Sequence, residues 1–154
     1  DDRQYRKLGG TLQHVLDGIL RVFQAGMWLE IVTLVVPGMN DSADELRRMA
    51  RFIAGVSRDI PWHVTAFHPD YHMRDTPPTP PATLMRAYET GREEGLNFVY
   101  AGNLPGRVGN TENTICPRCG EVMVERFGNR AVSIHLRGGC CPGCQTAIPG
   151  RWEG

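Results

Sequence analysis

The run Trp28-Leu29-Glu30-Ile31-Val32-Thr33-Leu34-Val35-Val36, closed by Pro37-Gly38, decides the fold class. β-Branched and apolar residues follow one another there without helical spacing, the pattern of a parallel strand covered on both faces. Upstream, Leu12, Val15, Leu16, Ile19, Val22 and Phe23 recur at intervals of three and four, which predicts an amphipathic helix over 11–25, stopped at Gly26. Downstream, Ser42-Ala43-Asp44-Glu45 fits a capping box. It opens a helix whose buried face is Leu46, Met49, Ala50 and Ile53 and which closes near Gly55. Trp62 to Phe67 reads as a second strand. After the proline-rich loop from Thr76 to Pro81, Thr79 is placed to cap a helix, with Pro80 in its first turn and Leu84, Ala87 and Tyr88 along it. Gly95 ends that helix, and Leu96 to Tyr100 is the third strand.

The strands begin at Trp28, Trp62 and Leu96, spacings of 34 residues that leave room for a helical crossover between parallel neighbours. The expected class is α/β. Three such strands cannot close a barrel, and a strand as apolar as Trp28 to Val36 makes a poor free edge, so the expectation is a fragment lacking a neighbouring strand. The opening Asp1-Asp2, without a methionine, points the same way. Gly102 to Asn113, rich in Gly and Asn, reads as a linker, which divides the chain into an α/β unit over 1–112 and a small unit over 113–154.

That second unit contains Cys116-Pro117-Arg118-Cys119-Gly120 and Cys141-Pro142-Gly143-Cys144, two C-x-x-C pairs separated by 21 residues. The spacing is that of four-cysteine zinc sites, in which each tight knuckle aims two thiolates at one ion. Gly120 suits the backbone of such a turn, and Gln145 stands at the equivalent place in the second knuckle. Strands over 121–127 and 130–136, joined at Gly128-Asn129, would bring the ligands together from the ends of a hairpin. So short a unit needs a metal to hold it. The expected ligands are Cys116, Cys119, Cys141 and Cys144, with zinc as the ion. Iron in the same thiolate cage, as in a rubredoxin-like electron carrier, is the alternative metal, and a disulfide pair the alternative chemistry. His135 reads as an ordinary strand residue and Cys140 as a spectator thiol.

Lys plus Arg and Asp plus Glu both number 17, so no net field draws the chain to nucleic acid or to an anionic membrane. No apolar stretch is long enough to span a bilayer and no signal peptide is visible, so a cytoplasmic protein is expected. Paired cysteines suit a metal site in a reducing compartment.

The segments Glu30 to Asp41 (EIVTLVVPGMND), Pro61 to Met73 (PWHVTAFHPDYHM) and Asn97 to Gly106 (NFVYAGNLPG), with the two knuckles, resemble the radical SAM enzyme of the AmmeMemoRadiSam system, a relative of the pyruvate formate-lyase activating enzymes. The resemblance runs from about Leu8 to Trp152 and corresponds to the C-terminal half of that family. It implies the last part of a partial (βα) barrel with the ribbon appended. It also implies a complete protein that cleaves S-adenosylmethionine reductively to a 5′-deoxyadenosyl radical on a [4Fe–4S] cluster held by a C-x-x-x-C-x-x-C loop. No such triplet occurs in this sequence, so the chain alone is expected to be inactive and its partner to be the missing N-terminal half. By the same resemblance, the backbone of Val36, Pro37 and Gly38 would lie against the adenine of S-adenosylmethionine and His68 would face that cavity. His63 is read as a packed strand residue, and His68, Asp70 and His72 as a polar loop cluster. A different class of function is a binding module that presents the zinc ribbon to a protein partner without chemistry of its own.

Overall fold

A computed structural model describes residues 2–128 and 130–152. Its elements are α1 (Asp2–Lys7), α2 (Leu12–Gln24), β1 (Ile31–Val35), α3 (Ala43–Val56), β2 (Trp62–Ala66), α4 (Pro81–Glu93), β3 (Val99–Gly102), β4 (Thr114–Ile115), β5 (Val122–Phe127) and β6 (Arg130–Ile134). They form two three-stranded sheets, a parallel one in the order β1-β2-β3 and an antiparallel one in the order β4-β5-β6. The chain is thus mixed α/β, with the cysteines in the second sheet's unit.

Register explains how the parallel sheet is used. Ile31, Trp62 and Val99 align across it, as do Thr33, Val64 and Ala101, and these rows face α3 and α4. Leu46, Ala50 and Ile53 of α3 and Leu84 and Ala87 of α4 complete one core with Trp62 and Val64 at its centre. The Trp62 indole, wholly buried, donates to Thr33 Oγ1 at 2.9 Å, as a buried N–H requires. Gly91 lets α4 sit this close, because a Cβ there would lie 2.9 Å from both the Trp62 ring and Val99. α3 begins as predicted, with the Glu45 amide donating to Ser42 Oγ at 3.2 Å.

The alternate rows, Val32-His63-Tyr100 and Leu34-Thr65-Gly102, form the opposite face. Here the expectation of a strand covered on both sides is corrected: Val32 is 66% and Leu34 48% exposed, and β1 is an edge of its sheet. α2 forms where the apolar spacing put it and touches α1, yet none of its residues is fully buried. α1 was not anticipated from the sequence.

Three other expectations shift. Thr79 does not cap α4, since Pro80 holds that position. Instead its buried hydroxyl accepts from the Phe67 amide at 2.8 Å and donates to the Val35 carbonyl at 2.5 Å, tying the ends of β1 and β2 together. β3 starts at Val99, later than predicted, because the Leu96 amide closes the α4 terminus on Gly91 and the Asn97 amide turns to the Arg58 carbonyl. The segment 102–113 is packed and is no loose linker. Val108 is 1% exposed within the main core, and Thr111 and Glu112 are buried. The two cores themselves remain distinct, with Phe98 of the α/β unit serving the second one beside Met123, Val124, Cys116, Cys141 and Ile148. No helix among the described residues is long and apolar enough to cross a membrane.

Candidate metal centre

Each cysteine pair sits on a turn built by the same backbone bonds. The Cys116 amide donates to the Glu121 carbonyl at 2.8 Å and the Cys116 carbonyl accepts from the Gly120 amide at 3.0 Å. In the second knuckle the Cys141 amide donates to the Thr146 carbonyl at 2.9 Å, and the Cys141 carbonyl accepts from the Gln145 amide at 2.9 Å. The fourth residue after the first cysteine must turn left-handed in both, and it does, at φ 79° for Gly120 and φ 60° for Gln145. Two knuckles of one geometry therefore face each other. Gln145, the departure noted in the sequence, adopts the conformation that glycine adopts opposite it.

The result is a cluster of four sulfurs, those of Cys116, Cys119, Cys141 and Cys144, all within 4.8 Å of one another. Cys116 Sγ lies 3.6 Å from Cys144 Sγ, and Cys119 Sγ 3.5 Å from Cys141 Sγ. A tetrahedron with metal–sulfur bonds of about 2.3 Å has edges of about 3.8 Å, so the cage fits one thiolate-bound ion. No disulfide joins these thiols. Cys116 and Cys141 are buried in the ribbon core while Cys119 is exposed. Burial pushes the Cys141 thiol up to about 12, whereas the Thr146 hydroxyl, 3.2 Å from Cys144 Sγ, helps draw Cys144 down to about 6. An ion in the cage would supply the positive charge that the buried thiolates need. Thr146 was missed from the sequence, although it occupies the position after the knuckle that Glu121 occupies in the first.

Cys140 stays outside the cluster, its backbone paired with Arg137 and Ala147. His135 also stays outside, its Nε2 3.0 Å from Ser133 Oγ.

The other predicted site residues come to one end of the parallel sheet but do not share a cavity. Val36, Pro37 and Gly38 form a turn after β1, in which the Asn40 side chain accepts from the Val36 amide at 2.7 Å and Asp41 accepts from the Gly38 amide at 2.9 Å. Gly38 takes φ 72° there. His68, after β2, lines a hollow of about 620 Å³ with Pro78, Thr79, Asn103 and Arg107 that none of Val36, Pro37 and Gly38 borders. Asp70 accepts from the Tyr71 amide and His72 packs on the Tyr71 ring, so His68, Asp70 and His72 do not converge. His63 is a half-buried strand residue, as read from the sequence: it lies in β2 on the sheet face away from the helices, stacked on Tyr100 and 2.8 Å from Glu30.

The chain is similar to the uncharacterized protein MJ0808 of Methanocaldococcus jannaschii, 42% identical over 134 residues. That match covers 86% of this chain and 40% of the relative, so the chain spans well under half the relative's length. No family model and no solved structure matches.

Proposed function

We propose that this chain is the C-terminal portion of a radical S-adenosylmethionine enzyme, closing a partial (βα) barrel and carrying one structural zinc ion in its ribbon. The observation that carries the reading is the one-sided parallel sheet. Both crossover helices lie on a single face, as in a barrel, and the segments that resemble the family end at the carboxyl ends of the strands, where barrel enzymes place their chemistry. The bare edge of β1, the exposed Val32 and Leu34 and the unburied stripe of α2 supply a surface for the preceding strands of such a barrel. A relative much longer than this chain accords with that.

Zinc suits the closed four-thiolate cage, which leaves no open position for a substrate and so acts as a brace for a unit with a small core. Iron fits the same donors, and metal analysis distinguishes the two. The cluster-binding triplet is absent from the sequence, so no residue here is assigned to a [4Fe–4S] cluster and none to the radical step. By the resemblance, this chain's part in holding S-adenosylmethionine would be the Val36-Pro37-Gly38 backbone at the end of β1 and, from a separate hollow at the end of β2, His68. A second reading, a ribbon that docks on a protein partner, draws on the outward Phe127, Val132 and Ile134, each at least 60% exposed.

The test is to join the chain to the segment encoded upstream of it and to measure 5′-deoxyadenosine under a strong reductant. The radical reading expects a C-x-x-x-C-x-x-C in that segment, product from the joined protein and none from the 154-residue chain alone. Absence of the triplet, or no product from a joined protein with its cluster assembled, would overturn it in favour of the binding module.

A further inference from the structure

The open face of the parallel sheet does not simply stand bare. Opposite β3 it is walled by the ribbon, and between the two lies a groove of about 660 Å³, a size that suits a small organic ligand. Its floor is the row His63-Tyr100, whose rings stack with centroids 4.9 Å apart and planes 24° from parallel. The Arg126 guanidinium of β5 sits 5.4 Å from the Tyr100 ring centre, extending this row of planar groups across the seam. Trp28 and Trp152 border the groove.

The polar groups are fixed before any ligand arrives. Glu30 accepts from Trp28 Nε1 at 2.9 Å and holds His63 Nε2 at 2.8 Å, which leaves Nδ1 as the ring nitrogen with no partner among the described residues. The Tyr100 hydroxyl lies 2.9 Å from Thr114 Oγ1, and burial pushes this phenol's pKa up, so it stays a neutral group. Arg126 Nη1 donates to Thr114 Oγ1 at 2.7 Å and to the Glu112 carbonyl at 3.2 Å. The Tyr100 hydroxyl also lies within the influence of this guanidinium, and no salt bridge ties Arg126 to a carboxylate among the described residues. Of the two acids that border the groove, Glu30 is committed to Trp28 and His63, and buried Glu112 holds the Gly128 amide at 3.1 Å. Arg126 and the exposed Arg151 are thus the charges left to spare, and both are positive.

We propose that this groove binds an anionic ligand with a planar, aromatic body. Its carboxylate or phosphate is taken by the Arg126 guanidinium, which has no carboxylate partner, and its ring lies along the His63-Tyr100 row. A guanidinium already anchored has little conformational entropy left to lose, which favours recognition of an oxyanion. The flanking indoles and the stacked rings supply the apolar contact that a planar body needs. Arg126 comes from the ribbon and His63 and Tyr100 from the sheet, so the site also gives the metal unit a purpose: bracing the strand that delivers the arginine. The inference stands on residues of this chain and does not rest on radical chemistry.

The experiment titrates the zinc-loaded 154-residue chain with 4-hydroxyphenylacetate, following tryptophan fluorescence and the side-chain NMR signals of His63 and Arg126. Phenyl phosphate, acetate and tyramine serve as companion probes. Saturable shifts at His63 and Arg126 are expected with the aromatic carboxylate. Phenyl phosphate should bind comparably if the oxyanion is what Arg126 reads, acetate at least tenfold more weakly because it lacks the ring, and tyramine not at all. Arg126→Lys keeps the charge but loses the fork, and should weaken binding about tenfold while the ribbon retains its metal. His63→Ala, away from the ribbon, should weaken it several-fold. Tyramine binding as well as the acid, acetate binding as well as the aromatic acid, or both variants binding like the parent would overturn the proposal.

Discussion

At the level of single residues, the two knuckles are a controlled comparison within one molecule. Both turn left-handed at the same position, one with Gly120 and one with Gln145. A side chain in that conformation costs about 1–2 kcal/mol, against about 0.5–1 kcal/mol of extra chain entropy lost by glycine. Gln145→Gly should therefore raise stability by about 0.5–1 kcal/mol, and Gly120→Ala should lower it by about as much, both read from chemical denaturation of the metal-loaded protein. A Gln145→Gly variant less stable than the parent would mean that the Gln145 Nε2 bond to the Pro142 carbonyl, 3.2 Å long, outweighs the backbone strain. The metal ligands were legible from sequence because C-x-x-C fixes local geometry within a few residues. Thr79 was not, because whether a threonine caps a helix or bridges two strands depends on groups such as the Val35 carbonyl that lie far away in sequence.

Among the elements, the parallel strands, α2, α3 and α4 could be located from apolar spacing, since each pattern is a property of a short stretch. What covers them could not. Trp28 to Val36 reads as a strand buried twice over, yet in this chain only the side of β1 that carries Ile31 and Val35 finds the core, and the partner for Val32 and Leu34 is not among the described residues. The likeness of segment 102–113 to a linker also misled, because its Gly and Asn content hides Val108, which joins the α/β core, and the buried Thr111 and Glu112. Helix α4 owes its closeness to the sheet to Gly91. Gly91→Ala improves helix propensity by up to about 1 kcal/mol but overpacks Trp62 and Val99 at a cost of about 1–3 kcal/mol. A net loss of about 1–2 kcal/mol in a urea melt is expected, and equal or greater stability would show that α4 can shift away freely.

Taken whole, the molecule joins a one-sided α/β sheet to a ribbon through a seam of real contacts. Phe98 enters the ribbon core, and Tyr100, Thr114 and Arg126 hydrogen-bond or stack across the boundary. Loosening the ribbon should accordingly be felt in the sheet. Cys119→Ser should abolish metal retention and move the NMR signals of Tyr100 and His63, whereas Cys140→Ser, outside the four-sulfur cage, should leave metal and signals unchanged. Equal effects from the two substitutions would mean that the ligand set is wrong. The four-thiolate zinc cage is tested most directly by X-ray absorption at the metal edge of the purified chain, with metal content measured alongside. One zinc per chain with four sulfurs at about 2.3 Å is the predicted result. Iron in the cage, no bound metal, or nitrogen or oxygen in the first coordination sphere would contradict it.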